Sequence, residues 1–181
     1  MIRDAATIVL VRDAQDDPKI LMGQRGAKAA FMPSKFVFPG GARDAADAAV
    51  SLANPLSAVC RQRLCEDADK RVAEALPATA IRELWEETGL MLGQPGLWRD
   101  PPQDWAQFAQ AGMRPDASPL SFFFRAITPP GRPRRFDARF FLAPATAILG
   151  DPDDFSKASD ELSALQWVRL EAARDYDLPF I

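Results

Sequence analysis

The segment AIRELWEETGL, at residues 80 to 90, constrains this chain more than any other stretch. If the segment forms a helix, Glu83, Glu86 and Glu87 stand at positions i, i+3 and i+4, which share one face. Like charges at this spacing destabilise a helix by roughly 0.2–0.5 kcal/mol per pair. This helix face therefore needs positive charge from elsewhere, and the fold has to bring that charge to it.

A divalent cation is the simplest partner for such a face. Mg²⁺ and Mn²⁺ prefer oxygen ligands, and Mg²⁺ in proteins keeps several waters while it also binds substrate phosphates. Arg82 lies four residues before Glu86, so its guanidinium is placed to brace one of the carboxylates. The pattern predicts a Mg²⁺ or Mn²⁺ site on the helix face.

The chain contains no histidine. This absence excludes Ser-His-Asp and Cys-His nucleophile systems, phosphohistidine chemistry and imidazole metal sites. Cys60 and Cys65 are too few for a disulfide framework and lack the second ligand pair of a zinc site. Acid–base or metal chemistry in this protein must therefore rest on carboxylates.

Composition limits the possible partners. The 181 residues are 48% hydrophobic and 26% charged, with a net charge of -3, as expected of a globular protein without general attraction to nucleic acid or anionic membranes. The first residues carry charges that a signal peptide would not, and no apolar run approaches the roughly 18 residues of a membrane span. We expect a cytoplasmic protein that is a monomer or a homodimer. Two possibilities stay open for the native chain, which ends at Ile181 or extends past it.

Apolar segments bounded by turn residues predict strands at 6–13, 19–25, 35–41, 120–128, 134–143 and 161–170. Helices are predicted at 77–89, 102–112 and 170–177. In the first of these, Pro77 suits the first helical position and Gly89 the position just after the end. Strand hairpins with a few helices indicate a mixed α/β sheet covered by helices, in a single domain over residues 1–181.

The segment at residues 82–90, RELWEETGL, resembles the second half of the Nudix hydrolase signature, G-x5-E-x7-R-E-U-x-E-E-x-G-U, in which U is a bulky aliphatic residue. The first half is split, because Gly41 ends FPGG and Asp47 stands six residues later where the signature has glutamate. Arg82 then follows Asp47 by 35 residues instead of eight, so an insertion of about 27 residues interrupts the motif. Either Asp47 or Glu74, eight residues before Arg82, fills the first acidic position.

The resemblance implies an α/β/α sandwich with a mixed sheet and with residues 42–76 as a helical insertion inside the signature. It implies that Glu86 and Glu87 are ligands of Mg²⁺ or Mn²⁺. Glu83 is either a further ligand or the base that positions water. The activity it implies is hydrolysis of a phosphoanhydride in a nucleoside diphosphate linked to another group.

The resemblance also assigns supporting roles. Arg82 belongs to the catalytic group as structural support, and the carbonyl of Gly40 is the expected backbone ligand of the metal. Glu161, in SDEL, would add a metal-binding carboxylate across the cleft. The alternative for Glu161 is an ordinary charge at a strand edge.

FMPSKFVFPGGARDAAD, the long insertion and RRFDARFFLA together resemble the branch that includes peroxisomal coenzyme A diphosphatases and their bacterial relatives. This branch implies coenzyme A or an acyl derivative as substrate. The alternatives are an ADP-ribose or dinucleotide pyrophosphatase, and a non-catalytic Nudix module that binds a nucleotide and regulates a partner.

Arginine is the side chain best suited to bidentate phosphate recognition. The candidates for substrate contact are Arg25, Arg134, Arg135 and Arg139. For the last three, which lie in or after the basic turn PPGRPRR, the alternative is a solvated turn that contacts no ligand.

Overall fold

The structure is a computed structural model that describes residues 2–29 and 31–180. Met1, Ala30 and Ile181 lie outside the described residues. The single-domain prediction for residues 1–181 includes these three positions. Within the described residues, seven strands form one mixed sheet around the central strand β1 (Ile2–Arg12). β1 pairs antiparallel with β2 (Lys19–Arg25) and parallel with β8 (Arg135–Pro144).

The remaining strands of this sheet are short or lie towards its edges. They are β3 (Phe36–Val37), β4 (Gly40–Ala42), β7 (Ser121–Ile127) and β9 (Leu162–Arg169). The order across the sheet is β3-β2-β1-β8-β7, with β4 also paired to β1 and β9 to β2. Parallel and antiparallel pairs occur together, and this confirms the predicted mixed sheet.

The strand predicted at 35–41 is divided at Phe38 and Pro39. Proline has no backbone N–H and cannot donate to a strand ladder, although its carbonyl accepts a hydrogen bond from the N–H of Ile8 at 2.9 Å. The chain therefore leaves β2 after β3 and continues as β4 alongside β1. This crossing places Gly40 and Gly41 beside the middle of the sheet.

Helix α2 spans Lys70–Thr88, so the prediction that a helix begins at Pro77 is wrong. The Asp69 side chain caps the helix by accepting hydrogen bonds from the N–H groups of Arg71 at 2.8 Å and Val72 at 3.3 Å. Pro77 lies inside the helix and cannot donate to the carbonyl four residues earlier. Gly89 ends the helix with φ 76, the left-handed conformation that glycine adopts without strain.

The region predicted as an insertion, residues 42–76, is only partly separate from α2. It contains a 3₁₀ helix at Ala45–Ala49 and helix α1 at Ala58–Leu64. Its last residues form the first turns of α2, because the true start of that helix lies at Lys70. The insertion thus lengthens the helix that carries the glutamates as well as adding α1.

Short elements follow α2. Strands β5 (Gly93–Pro95) and β6 (Met113–Pro115) pair in a separate two-stranded sheet that the sequence did not predict. The helix predicted at 102–112 is a 3₁₀ turn at Gln103–Trp105 followed by α3 (Ala106–Gln110). The predicted terminal helix is shorter than expected and is a 3₁₀ helix at Leu170–Asp175.

The larger hydrophobic core lies between α2 and one face of the sheet. It includes Ile8 and Leu10 of β1 and Ile81 and Leu84 of α2, all of them fully buried. Removing such side chains from water contributes roughly 1.5–3 kcal/mol each to stability, so this contact fixes α2 against β1. No helix among the described residues is long and apolar enough to span a membrane.

Candidate metal and phosphoanhydride site

Two glycines let the second half of α2 approach the sheet closely. A Cβ atom on Gly40 would lie 2.5 Å from the Ala6 carbonyl oxygen and 2.7 Å from Thr7 Cα. A Cβ atom on Gly41 would collide with the carboxylate of Glu83. Gly40 lies against backbone atoms of β1 and leaves no room for a Cβ, whereas a side chain at position 41 would displace the Glu83 carboxylate.

Glu87 is the most deeply buried of the three glutamates. The N–H of Gly40 donates a hydrogen bond to Glu87 Oε2 at 2.8 Å, whereas Oε1 is buried and has no hydrogen-bond partner among the described residues. Burial and the nearby charge of Glu83 raise the pKa of Glu87 well above its ordinary value. A buried carboxylate oxygen without a partner is costly, and a bound ion or water molecule at this place would satisfy it.

Arg82 stands at the centre of the acidic side chains, with its own side chain 5% exposed. Its Nη1 lies 2.9 Å from Glu83 Oε1 and 2.9 Å from Glu86 Oε2, and its Nη2 donates to the Ala42 carbonyl at 3.1 Å. Burial opposes the charge of the guanidinium, but the surrounding carboxylates outweigh burial and raise the pKa of Arg82. Arg82 therefore braces the glutamates and ties α2 to β4.

Asp47, and not Glu74, is the acidic partner of Arg82. Arg82 Nε lies 2.9 Å from Asp47 Oδ1, and Thr79 Oγ1 donates to Asp47 Oδ2 at 2.8 Å. Glu74 is exposed and lies near Lys70, with 3.9 Å between Oε1 and Nζ. The 3₁₀ helix that carries Asp47 thus supplies the first acidic position of the interrupted signature.

The other two glutamates have raised pKa values as well. Burial raises the pKa of Glu83 to about 7, although Arg82 acts in the opposite direction. Burial also raises the pKa of Glu86, with a smaller contribution from the charge of Asp104. Asp104 was not a sequence candidate, because no motif marks its segment and only the folded chain brings it near Glu86.

Arg25 and Glu161 form an ion pair near the glutamates. Arg25 Nη2 lies 3.0 Å from Glu161 Oε1. The negative charge of Glu161 contributes to the raised pKa values of both Glu83 and Glu87. The structure therefore places Arg25 and Glu161 near Glu83 and Glu87. Their roles in substrate contact and metal binding stay predictions.

The structure does not bring the other candidate arginines to this cluster. Arg139 is 2% exposed, with Nη1 2.6 Å from Asp4 Oδ1 and 3.2 Å from Asp137 Oδ1. This burial contradicts a substrate-facing role, because both carboxylates already neutralise the side chain. Arg135 donates from Nε to the Thr128 carbonyl at 3.0 Å, and Arg134 is exposed in the same turn.

The carboxylates fit a divalent cation without forming a finished cage. Among residues 2–29 and 31–180, no three potential ligands are already gathered as a metal site. Arg82 stands between Glu83 and Glu86 and holds both at hydrogen-bond distance. The unpartnered Oε1 of Glu87 and the raised pKa values of the three glutamates nevertheless mark a place where a cation would relieve burial and repulsion.

Comparison with known proteins agrees with this geometry. The NUDIX domain family model matches residues 1–180. A Caenorhabditis elegans protein described as nudix hydrolase 7 is 28% identical over 96% of this chain and 53% of its own length. The acyl-coenzyme A diphosphatase NUDT19 of Gallus gallus is 27% identical over 91% of this chain and 60% of its own length. The chain spans between half and two thirds of these curated relatives.

Solved structures agree with the fold. A NUDIX hydrolase from Alicyclobacillus acidocaldarius has 30% identity and a TM-score of 0.72, over 99% of this chain and 86% of that one. The NUDIX domain of Shewanella oneidensis NrtR, solved with ADP ribose, has a TM-score of 0.52 at 15% identity, over 99% of this chain and 80% of that one. The second likeness concerns the fold alone. Signature, sheet and family match together show that the chain belongs to the Nudix hydrolase family.

Proposed function

We propose that residues 1–181 act as one catalytic domain that hydrolyses a phosphoanhydride bond with the help of a divalent cation. The observation that carries this proposal is the buried Glu87 Oε1, which has no partner beside two further glutamates of raised pKa. An unpaired buried carboxylate oxygen destabilises the fold, so a cation bound at this place would stabilise it. The substrate is a nucleoside diphosphate linked to a second group.

Glu86 and Glu87 would hold Mg²⁺ or Mn²⁺, with the Gly40 carbonyl and Glu161 as further oxygen ligands. When bound, a divalent ion neutralises the diphosphate and acidifies a water molecule. Glu83 then serves as a further ligand or positions the attacking water. Arg82 keeps the carboxylates in place through its hydrogen bonds to Glu83 and Glu86.

Coenzyme A or an acyl-coenzyme A is the substrate that we propose first, since the Gallus gallus relative carries the name of an acyl-coenzyme A diphosphatase. ADP-ribose or a dinucleotide is the second candidate, and the two differ in the 3′-phosphate that only coenzyme A carries. Arg25 lies beside the cleft and is the arginine that we propose for phosphate contact. The unpaired thiols Cys60 and Cys65 suit a reducing compartment, which supports a cytoplasmic location.

Turnover of a substrate panel tests this proposal. Coenzyme A, its 3′-dephospho form, ADP-ribose and a dinucleotide would each be incubated with Mg²⁺ or Mn²⁺, and the products identified by mass. We expect cleavage within the diphosphate, lost on chelation and lost in Glu87→Gln. The control is Glu74→Gln, which removes an exposed carboxylate from the same helix.

If the wild type binds these compounds but cleaves none with either metal, the chain is a nucleotide-binding regulator and not a hydrolase. If ADP-ribose is preferred, or both coenzyme forms are cleaved equally well, the coenzyme A assignment is wrong and the second candidate replaces it.

A further inference from the structure

A cavity of about 410 Å³ opens beside Glu86 on α2. We call it the side groove. Its walls come from α2, from the 3₁₀ turn and α3, and from the segment before β9. The side chains that matter here are Trp85, Glu86, Gln103, Asp104, Gln107 and Lys157. Its volume lies within the range of roughly 300–1,000 Å³ that is usual for small-molecule sites.

Glu86 belongs both to the lining of the side groove and to the proposed metal ligands. The Glu86 carboxylate accepts a hydrogen bond from Arg82 on one side, and the same residue lines the groove on the other. The N–H of Ser159 donates to the Glu86 carbonyl at 3.2 Å, which holds the segment before β9 against the helix. A Cβ atom on Gly89 would lie 2.8 Å from Lys157 Cβ, so glycine permits this close approach.

The walls of the side groove suit a neutral polar chain that ends in a phosphate. Gln103 and Gln107 are exposed and offer amide donors and acceptors. Lys157 Nζ lies 6.0 Å from the centre of the Trp85 ring, and among the described residues it makes no ion pair within 4 Å. Trp85 is 9% exposed and packs edge-on against Phe108. Its ring face is therefore not open for stacking a base.

From this geometry we infer that the side groove binds the non-nucleotide half of the substrate, a phosphorylated chain that bears hydroxyl or amide groups. Gln103 and Gln107 hydrogen-bond the chain, and Lys157 faces the phosphate that remains on it after cleavage. The nucleotide half then lies on the Arg25 side of the glutamates. This inference rests on the proposed phosphoanhydride hydrolysis, since it assigns the two halves of that substrate.

The product halves test the inference without turnover. Titration calorimetry in Mg²⁺ would measure binding of 4′-phosphopantetheine and ribose 5-phosphate as non-nucleotide halves, and of adenosine 3′,5′-bisphosphate and AMP as nucleotide halves. The variants are Gln107→Ala and Lys157→Met. The matched controls are Gln110→Ala, an exposed position on the same short helix, and Lys70→Met, at the far end of α2.

We expect Lys157→Met to weaken one non-nucleotide half by about tenfold or more, as loss of a contact to a charged group would. Gln107→Ala should weaken the same half by about fivefold, as loss of a neutral hydrogen bond would. Binding of the nucleotide halves should stay within about twofold of wild type, and both controls should behave as wild type. Which non-nucleotide half responds identifies the chain as pantetheine-like or ribose-like.

The inference is overturned if the groove variants weaken both halves equally, if they weaken neither, or if no non-nucleotide half binds to the wild type. Turnover of the substrate panel is measured separately. Normal cleavage with unaffected half-binding would therefore refute the groove assignment while the proposed hydrolysis stands.

Discussion

Two buried arginines of this protein lie in clusters that differ in their ratio of arginines to carboxylates. The balanced cluster pairs two arginines with two aspartates: Arg125, Arg139, Asp4 and Asp137. The acidic cluster gathers one arginine and four carboxylates: Arg82, Asp47, Glu83, Glu86 and Glu87. Among the described residues, each cluster has one buried atom without a hydrogen-bond partner. In the acidic cluster it is a carboxylate oxygen, Glu87 Oε1, and in the balanced cluster it is Arg139 Nε.

The carboxyl pKa values of the two clusters move in opposite directions. Burial alone would raise the pKa of Asp137, but Arg125 and Arg139 outweigh burial and lower it. In the acidic cluster, burial raises the pKa of Glu83 to about 7 even though Arg82 is in contact. In the balanced cluster two arginines neutralise two aspartates. The acidic cluster keeps an excess of carboxylates that a further cation would neutralise.

The largest effect is expected from Glu87→Gln, which removes the carboxylate whose Oε1 has no partner among the described residues. Turnover should fall at least about 100-fold, because the side chain is proposed as a metal ligand. The metal-free melting temperature should be equal to or higher than wild type, since the substitution removes buried like charge. Steady-state kinetics and calorimetry measure the two quantities. Wild-type turnover in this variant would remove Glu87 from the proposed ligands.

Arg139→Met breaks the balanced cluster instead. It leaves the carboxylates of Asp4 and Asp137 without their buried partner, so stability should fall by roughly 3–5 kcal/mol. Urea unfolding measures this loss, with Arg134→Met, at an exposed position, as the control. If Arg139→Met were as stable as wild type, the cluster would not be structural.

The two clusters should also give opposite pH dependences of stability in EDTA. A Glu83 pKa raised from 4.5 to about 7 adds stability that is fully present below pH 4.5 and lost as pH rises through 7. The lowered pKa of Asp137 adds stability above pH 3.8 that is lost as pH falls through the folded value.

Urea unfolding of the metal-free protein between pH 5 and 8 isolates the contribution of Glu83, because that of Asp137 changes only below pH 3.8. The wild type should lose more stability over this interval than Glu83→Gln, in which the titrating group is absent. An equal decline in both proteins would show that Glu83 has no raised pKa in the folded state.

The smallest effect is expected for Arg134→Ala, because Arg134 belongs to neither cluster. Its KM for coenzyme A should stay within about twofold of wild type. Arg25→Ala should raise KM by roughly 10- to 100-fold, as loss of a charge-assisted contact of about 1.5–3 kcal/mol would. Initial-rate kinetics test the pair, and a larger effect at Arg134 would return the basic turn to the substrate site.

Local signals predicted the part of the site that lies on one helix. RELWEETGL contains an arginine, the three glutamates that follow it and the glycine end of α2 within nine residues, and the structure keeps that arrangement. The start of α2 was harder to predict, since Pro77 is favourable at a first helical position but is tolerated here because Asp69 caps the helix earlier.

Contacts between distant residues were beyond the reach of local patterns. Asp47 and Glu74 were equal candidates in the sequence, and only folding across 35 residues places Asp47 against Arg82. Arg139 and Arg134 likewise belong to one basic segment. Pairing of β8 with β1 buries Arg139 against Asp4, a residue more than 130 positions away. Arg134 lies in the turn before β8 and is exposed.

Binding of a cation by the acidic cluster is tested by the effect of Mg²⁺ or Mn²⁺ on the melting temperature at pH 8, in wild type and in Glu87→Gln. The claim predicts that metal raises the melting temperature of the wild type, because a ligand of the folded state stabilises it, and that Glu87→Gln shows little or no rise. Equal stabilisation of both proteins, or no effect of either metal on the wild type, would contradict the claim that a cation completes the acidic cluster.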